Sequence, residues 1–195
     1  MKKNSMKKRL AACILILCMI LTAIPVQAAT TSKADSALKT AVNKVVKTCK
    51  ITSSTSKTTA LKKVCDYVSK GTYGRAPLGF KPDTQKNWGI DFAKQLLNDK
   101  KRQGSCYHYA AASAFLAKKV SKYPVRIGYG RAKIYSDNWQ NHAWIEVKIG
   151  KTWYIYDANA NQFAKKRVGK WYKQKRTSMA KIYDLKTAKY INVEI

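Results

Sequence analysis

The sequence predicts an α+β fold on three observations: helix-period apolar stripes in its first half, an alanine-rich helix opening on a cysteine, and a pair of alternating strands beyond it. The first stripe runs Ala34, Ala37, Leu38, Ala41, Val42, Val45, Val46 and Cys49, with Ser32 and Asp35 as the caps that would start it. Leu61, Val64, Cys65 and Val68 repeat the period in a second helix, which Gly71 ends. In KKRQGSCYHYAAASAFLAKK, Ser105 is an N-cap type and the alanines favour helix, so Cys106 falls at a helix start. Farther on, Ala143, Ile145, Val147 and Ile149 alternate with His142, Trp144, Glu146 and Lys148, and TWYIYDAN follows at once as a partner strand.

Ahead of these elements, MKKNSMKKRL carries five positive charges and no negative one. An apolar run over residues 11–25 and the small residues around Val26-Gln27-Ala28 complete the pattern of a secretory signal peptide, residues 1–28. The run is shorter than the roughly 18–20 residues a bilayer span needs, so no stable membrane span is expected after processing. Cleavage after Ala28 would leave 167 of the 195 residues, which suits one exported domain with a single core.

Export also removes five of the 39 basic residues and none of the ten acidic ones, leaving 34 against 10 and a net charge of +24. Eight Lys or Arg and no acid lie between Asp157 and Asp184, interleaved with Trp171 and Tyr172. Inside a cell such a stretch would suggest nucleic acid. Outside one, anionic cell-envelope polymers or membrane surfaces are the more available polyanions, so no nucleic acid is expected. Lys165, Lys166, Arg167, Lys173, Lys175 and Arg176 are the candidate contacts. The plainer alternative is a solvated basic face.

Three cysteines remain after cleavage, and their settings differ. In a helical hairpin turning near residues 50–56, Cys49 lies at the turn while Cys65 lies about two turns, roughly 12 Å, down its helix. That separation exceeds a disulfide's reach, so both read as small core hydrophobes, with a bridge as the minor alternative. Cys106 is different. The helix start and the preceding Lys100, Lys101 and Arg102 favour a thiolate, which is the nucleophilic form; a packed structural thiol is the competing reading.

A thiolate nucleophile needs a base, and the chain offers two histidines. His108 sits two residues along the same helix, about 200° around its axis, and cannot easily reach the sulfur. His142 remains. A hairpin loop centred on Ile149-Gly150 pairs residues whose numbers sum to 299, which sets Asp157 opposite His142 on one face. Moving the loop to Gly150-Lys151 makes Asp157 a diagonal neighbour on the same face, and Asn159 is the fallback orienter. Trp144, Trp153 and Ile155 share that face, so it should be covered. Cys106 as nucleophile, His142 as base and Asp157 as orienter make a triad for acyl transfer that calls for no cofactor or metal. One oxyanion donor would be the Cys106 backbone N–H. The other histidine and cysteines have no zinc-ligand spacing.

GSCYHYAAASAFL, PVRIGYG, NHAWIEV and TWYIYDAN together resemble the transglutaminase-like superfamily, over about residues 61–162. The resemblance implies a papain-like α+β core, with the cysteine helix packed on an antiparallel sheet. It places the three catalytic positions on Cys106, His142 and Asp157. Members often read Asp-Pro-Thr where this chain has Asp157-Ala158-Asn159, which leaves the end of that strand open. The organisation expected is a signal peptide over 1–28, a helical segment over 29–57, and a transglutaminase-like domain over 58–195 with a basic C-terminal portion. The long connection over residues 71–87 would help shape a substrate cleft. The function expected is a secreted cysteine acyltransferase, protease or amidase acting on protein or peptide amides. The alternative is a catalytically silent module that holds envelope polymer.

Overall fold

The computed structural model describes residues 30–195, so the expected signal peptide lies outside the described residues. A six-stranded sheet forms one layer, in the order β1 (Thr30–Lys33), β8 (Lys189–Glu194), β4 (Val125–Ala132), β5 (Gln140–Ile149), β6 (Thr152–Tyr156) and β7 (Gln174–Lys175). All its pairings are antiparallel except β1 with β8. The helices α1 (Ser36–Thr48), α2 (Lys57–Val68), α3 (Trp88–Asn98) and α4 (Cys106–Ser121) cover one face. The fold is the expected α+β arrangement, with the cysteine helix against an antiparallel sheet.

Local sequence explains the helices. Asp35 caps α1 by accepting the Leu38 N–H at 2.8 Å, and Leu38, Ala41, Val42 and Val45 bury its stripe. Ser32, expected to share that cap, instead belongs to β1, a strand too short for its alternation to be read. Ser56 caps α2 through the Thr59 N–H, and Leu61, Val64, Cys65 and Val68 face inward. Cys49 and Cys65 are both free. In α4 every residue from Cys106 to Ala117 is buried, which marks a central helix apolar all round. Its alanines let α2, α3 and the sheet approach it closely.

The hairpin register differs from the first expectation. Ile149 pairs with Thr152 and Ile145 with Tyr156, so the loop is Gly150-Lys151 and the pair numbers sum to 301. Gly150 takes a φ of 60°, a left-handed conformation that glycine adopts without a Cβ penalty, and this draws the turn one residue later. Asp157 is therefore a diagonal neighbour of His142 on the shared face. The expected cover is present: Trp144, Ile155, Trp171 and Tyr183 form a second small core on that face.

Between α2 and α3, Thr72–Tyr73 runs parallel to Gln103–Gly104, which lays the start of the long connection beside the cysteine helix. Phe80 then pins that connection, its ring packing on Phe92 and Tyr107. Among the described residues no helix is long and apolar enough to cross a membrane.

Candidate active site

Cys106 is the first residue of α4, behind Ser105 in an extended conformation (φ −82°, ψ 176°). Close approach shapes this corner. A Cβ on Gly104 would lie 2.5 Å from the His108 Cβ, so only glycine fits there without backbone movement. His108 faces away from the sulfur, as its helical position requires. Its Nδ1 accepts the Ser105 N–H at 3.2 Å, and its Nε2–H donates to Gln95 Oε1 at 3.0 Å. Its ring stacks on Phe92 with 3.9 Å between centroids. Burial pushes its pKa down to about 4, which keeps the imidazole neutral and able to accept. His108 thus fastens the start of the cysteine helix.

His142 lies on β5 opposite Gly130, 2% exposed. Its Nε2–H donates to Asp157 Oδ2 at 2.7 Å, which leaves Nδ1 as the ring nitrogen available to the Cys106 thiol. Burial disfavours the imidazolium, but the charge and hydrogen bond of Asp157, aided by the Cys106 side chain, outweigh it. The result is a pKa raised to about 10.

Asp157 follows the last residue of β6 and caps the short helix α5 (Ala158–Phe163). Its Oδ1 accepts the Ala160 N–H at 2.8 Å, and its Oδ2 accepts the Tyr183 O–H at 2.8 Å besides His142. Its own N–H donates to the Trp171 carbonyl at 2.7 Å. The strand therefore ends one residue before the aspartate, because Asp157 is already the cap of the helix that begins at Ala158. Asn159 is buried with its Oδ1 accepting from the Tyr135 hydroxyl, and does not face His142.

Cys106 is only 6% exposed, so reagents reach it through a narrow rim. Aromatic rings border that rim. Tyr73, paired alongside Gly104, packs edge-on against Phe163 at 5.6 Å, and Tyr135 meets the His142 ring edge-on at 6.4 Å. All three are more than 40% exposed. The alternation that identified the strands gives no hint of these rings, which lie on loops and short elements.

The structure brings Cys106, at the start of α4, together with His142 and Asp157 of the β5–β6 hairpin. It divides the six candidate cations. Arg167 is paired with Asp137 at 2.6 Å, and Arg176 reaches the buried Glu146 at 3.3 Å. Lys165, Lys166, Lys173 and Lys175 are exposed, with no ion pair among the described residues. Trp171 and Tyr183, which stand among these basic residues in the sequence, both contact Asp157. Nothing in a charge count separates a lysine on the surface from a tyrosine between lysines that turns inward.

The family model described as the transglutaminase-like superfamily matches residues 27–158. The chain belongs to the transglutaminase-like superfamily. No curated protein matches it. Among solved structures it is similar to a candidate cysteine protease from Cytophaga hutchinsonii, at 17% identity and a TM-score of 0.43, over 78% of this chain. The match spans 46% of that protein's chain.

Proposed function

We propose that the protein is a cysteine enzyme that transfers or hydrolyses acyl groups at protein or peptide amides, with Cys106 as nucleophile, His142 as acid and base, and Asp157 as its orienter. The observation that carries this reading is the 2.7 Å His142–Asp157 hydrogen bond beside a cysteine at a helix start. The Cys106 thiolate adds to the amide carbonyl, and the C–N bond breaks as the His142 imidazolium gives its proton to the departing amine. A thioester remains. Water or a second amine then attacks it, His142 takes that nucleophile's proton, and the thiolate leaves as an acid or a new amide forms. The Cys106 N–H, at the positive end of α4, is suited to hold the developing oxyanion. Offering a glutamine-containing protein with and without a labelled primary amine tests the reading. Label incorporation defines a transferase, new peptide termini or released ammonia a hydrolase, and neither product overturns the proposal.

Export and retention at the cell envelope form the second part of the proposal, on the motif in residues 1–28 and on Lys165, Lys166, Lys173 and Lys175, which are exposed and have no ion pair among the described residues. Screening weakens such attraction, so binding to anionic envelope material should fall steeply with salt. Arg167 and Arg176 are left out of this role because acids of the fold already engage them.

A further inference from the structure

We propose that Tyr183 is a positioning residue of this site, and that the segment carrying it is a built part of the catalytic centre beyond the matched family core. The inference rests on the triad assigned above. The family match ends at residue 158, so Tyr183 lies 25 residues past it. Yet the phenol O–H donates at 2.8 Å to the same carboxylate oxygen, Oδ2, that receives His142 Nε2–H.

The carboxylate has little freedom. Oδ1 is committed to the Ala160 N–H and Oδ2 to two donors, so Tyr183 fixes the plane in which Asp157 meets the imidazole. Sharing Oδ2 also draws some of the carboxylate's charge away from His142. The donor is permanent, because burial and the neighbouring carboxylate raise the phenol's pKa well above its ordinary value. The ring is seated on Trp144 at 4.8 Å between centroids. Its backbone is stitched to the end of β4, where Asp184 N–H donates to the Arg131 carbonyl at 2.9 Å and Lys133 N–H to the Ile182 carbonyl at 2.8 Å. Arg176 anchors the same segment, donating to the Leu185 carbonyl at 3.1 Å and to buried Glu146 at 3.3 Å.

The titratable groups around the His142–Asp157 pair are Cys106 from α4, Tyr135 from the β4–β5 loop and Tyr183 itself, with Cys65 from α2 within electrostatic reach of Asp157. Two substitutions at Tyr183 act on the pair with opposite sign. Tyr183→Phe keeps the ring but frees Oδ2 for His142, so the imidazolium should hold its proton to a higher pH, and turnover should fall roughly tenfold as the carboxylate loosens. Site-specific 3-fluorotyrosine at 183 keeps the shape and strengthens the donor, so the imidazolium should lose its proton at a lower pH than in the wild type. The measurement is the NMR titration of the His142 ring in the full chain, alongside the pH profile of Cys106 alkylation by iodoacetamide. Shifts of opposite sign support the inference. Unchanged titrations in both variants, or shifts in the same direction, overturn it, whatever the change in melting temperature. Wild-type alkylation no faster than a free thiol peptide would instead sink the triad, while the ring titration still reports on Tyr183.

Discussion

His108 and His142 are both buried, yet the fold drives their pKa values in opposite directions, to about 4 and to about 10. Burial disfavours the charged ring at each. Only His142 has a carboxylate within hydrogen-bond distance, and that neighbour, aided by the Cys106 side chain, reverses the outcome. His108 meets a backbone N–H and a neutral amide oxygen, so it is a fastening. A histidine in a core therefore says little about function until the charge of its partner is known.

The largest effect expected is on the pair that carries the chemistry. Replacing Cys106 with Ala should abolish turnover, and His142→Ala should lower it by roughly 10²–10⁴-fold and slow alkylation of Cys106. Turnover assays would check both variants, and iodoacetamide labelling followed by peptide mapping would check the alkylation rate in His142→Ala, with Cys49 and Cys65 as internal controls. Equal labelling rates in the wild type and His142→Ala would break the contrast between the histidines.

Asp157→Asn sharpens the comparison by taking the carboxylate away. His142 should then behave more like His108, and the alkaline limb of its titration should move down from about 10. Turnover should fall by two to four orders of magnitude, roughly the scale set by the serine-protease analogue. A limb that stays near 10 would mean that the raised affinity has another source.

A smaller effect is expected at the fastening. His108→Gln should cost about 1–3 kcal/mol of stability, read by denaturant unfolding, with turnover per folded molecule close to that of the wild type. The pH dependence should separate the two rings. His142 is raised above its unfolded value near 6.5, so its contribution to stability is complete below pH ~6.5 and is lost as pH rises through about 10. His108 is lowered, so its contribution is present above pH ~6.5 and is lost as pH falls through about 4. Smallest should be the change in turnover of a neutral substrate when Lys165, Lys166, Lys173 and Lys175 become Gln, although salt-dependent binding to anionic polymer should weaken.

Periodicity and caps made α1, α2, α4 and the β5–β6 hairpin legible, because each is fixed by residues near one another in sequence. Cys106 at the helix start and the shared face of His142 and Asp157 follow from the same local rules. The register was off by one step of the turn, since Gly150 can sit at either loop position and only the assembled sheet selects one. Strand β1 and the seating of Tyr183 were illegible for a different reason. Both depend on partners far away in sequence, β8 for the strand and Asp157 for the tyrosine, and four or fewer residues of alternation carry no period.

The pairing of β1 with β8 bears on the order in which the molecule is completed. Thr30 meets Ile191, so this edge of the sheet closes only after a segment 161 residues downstream of it has been made. Contacts of such long sequence separation form slowly, because a large loop must be closed before they repay its entropy. The thiol is made before its surroundings: until β8 docks beside β4, a nascent chain carries its cysteine ahead of the finished sheet that holds His142.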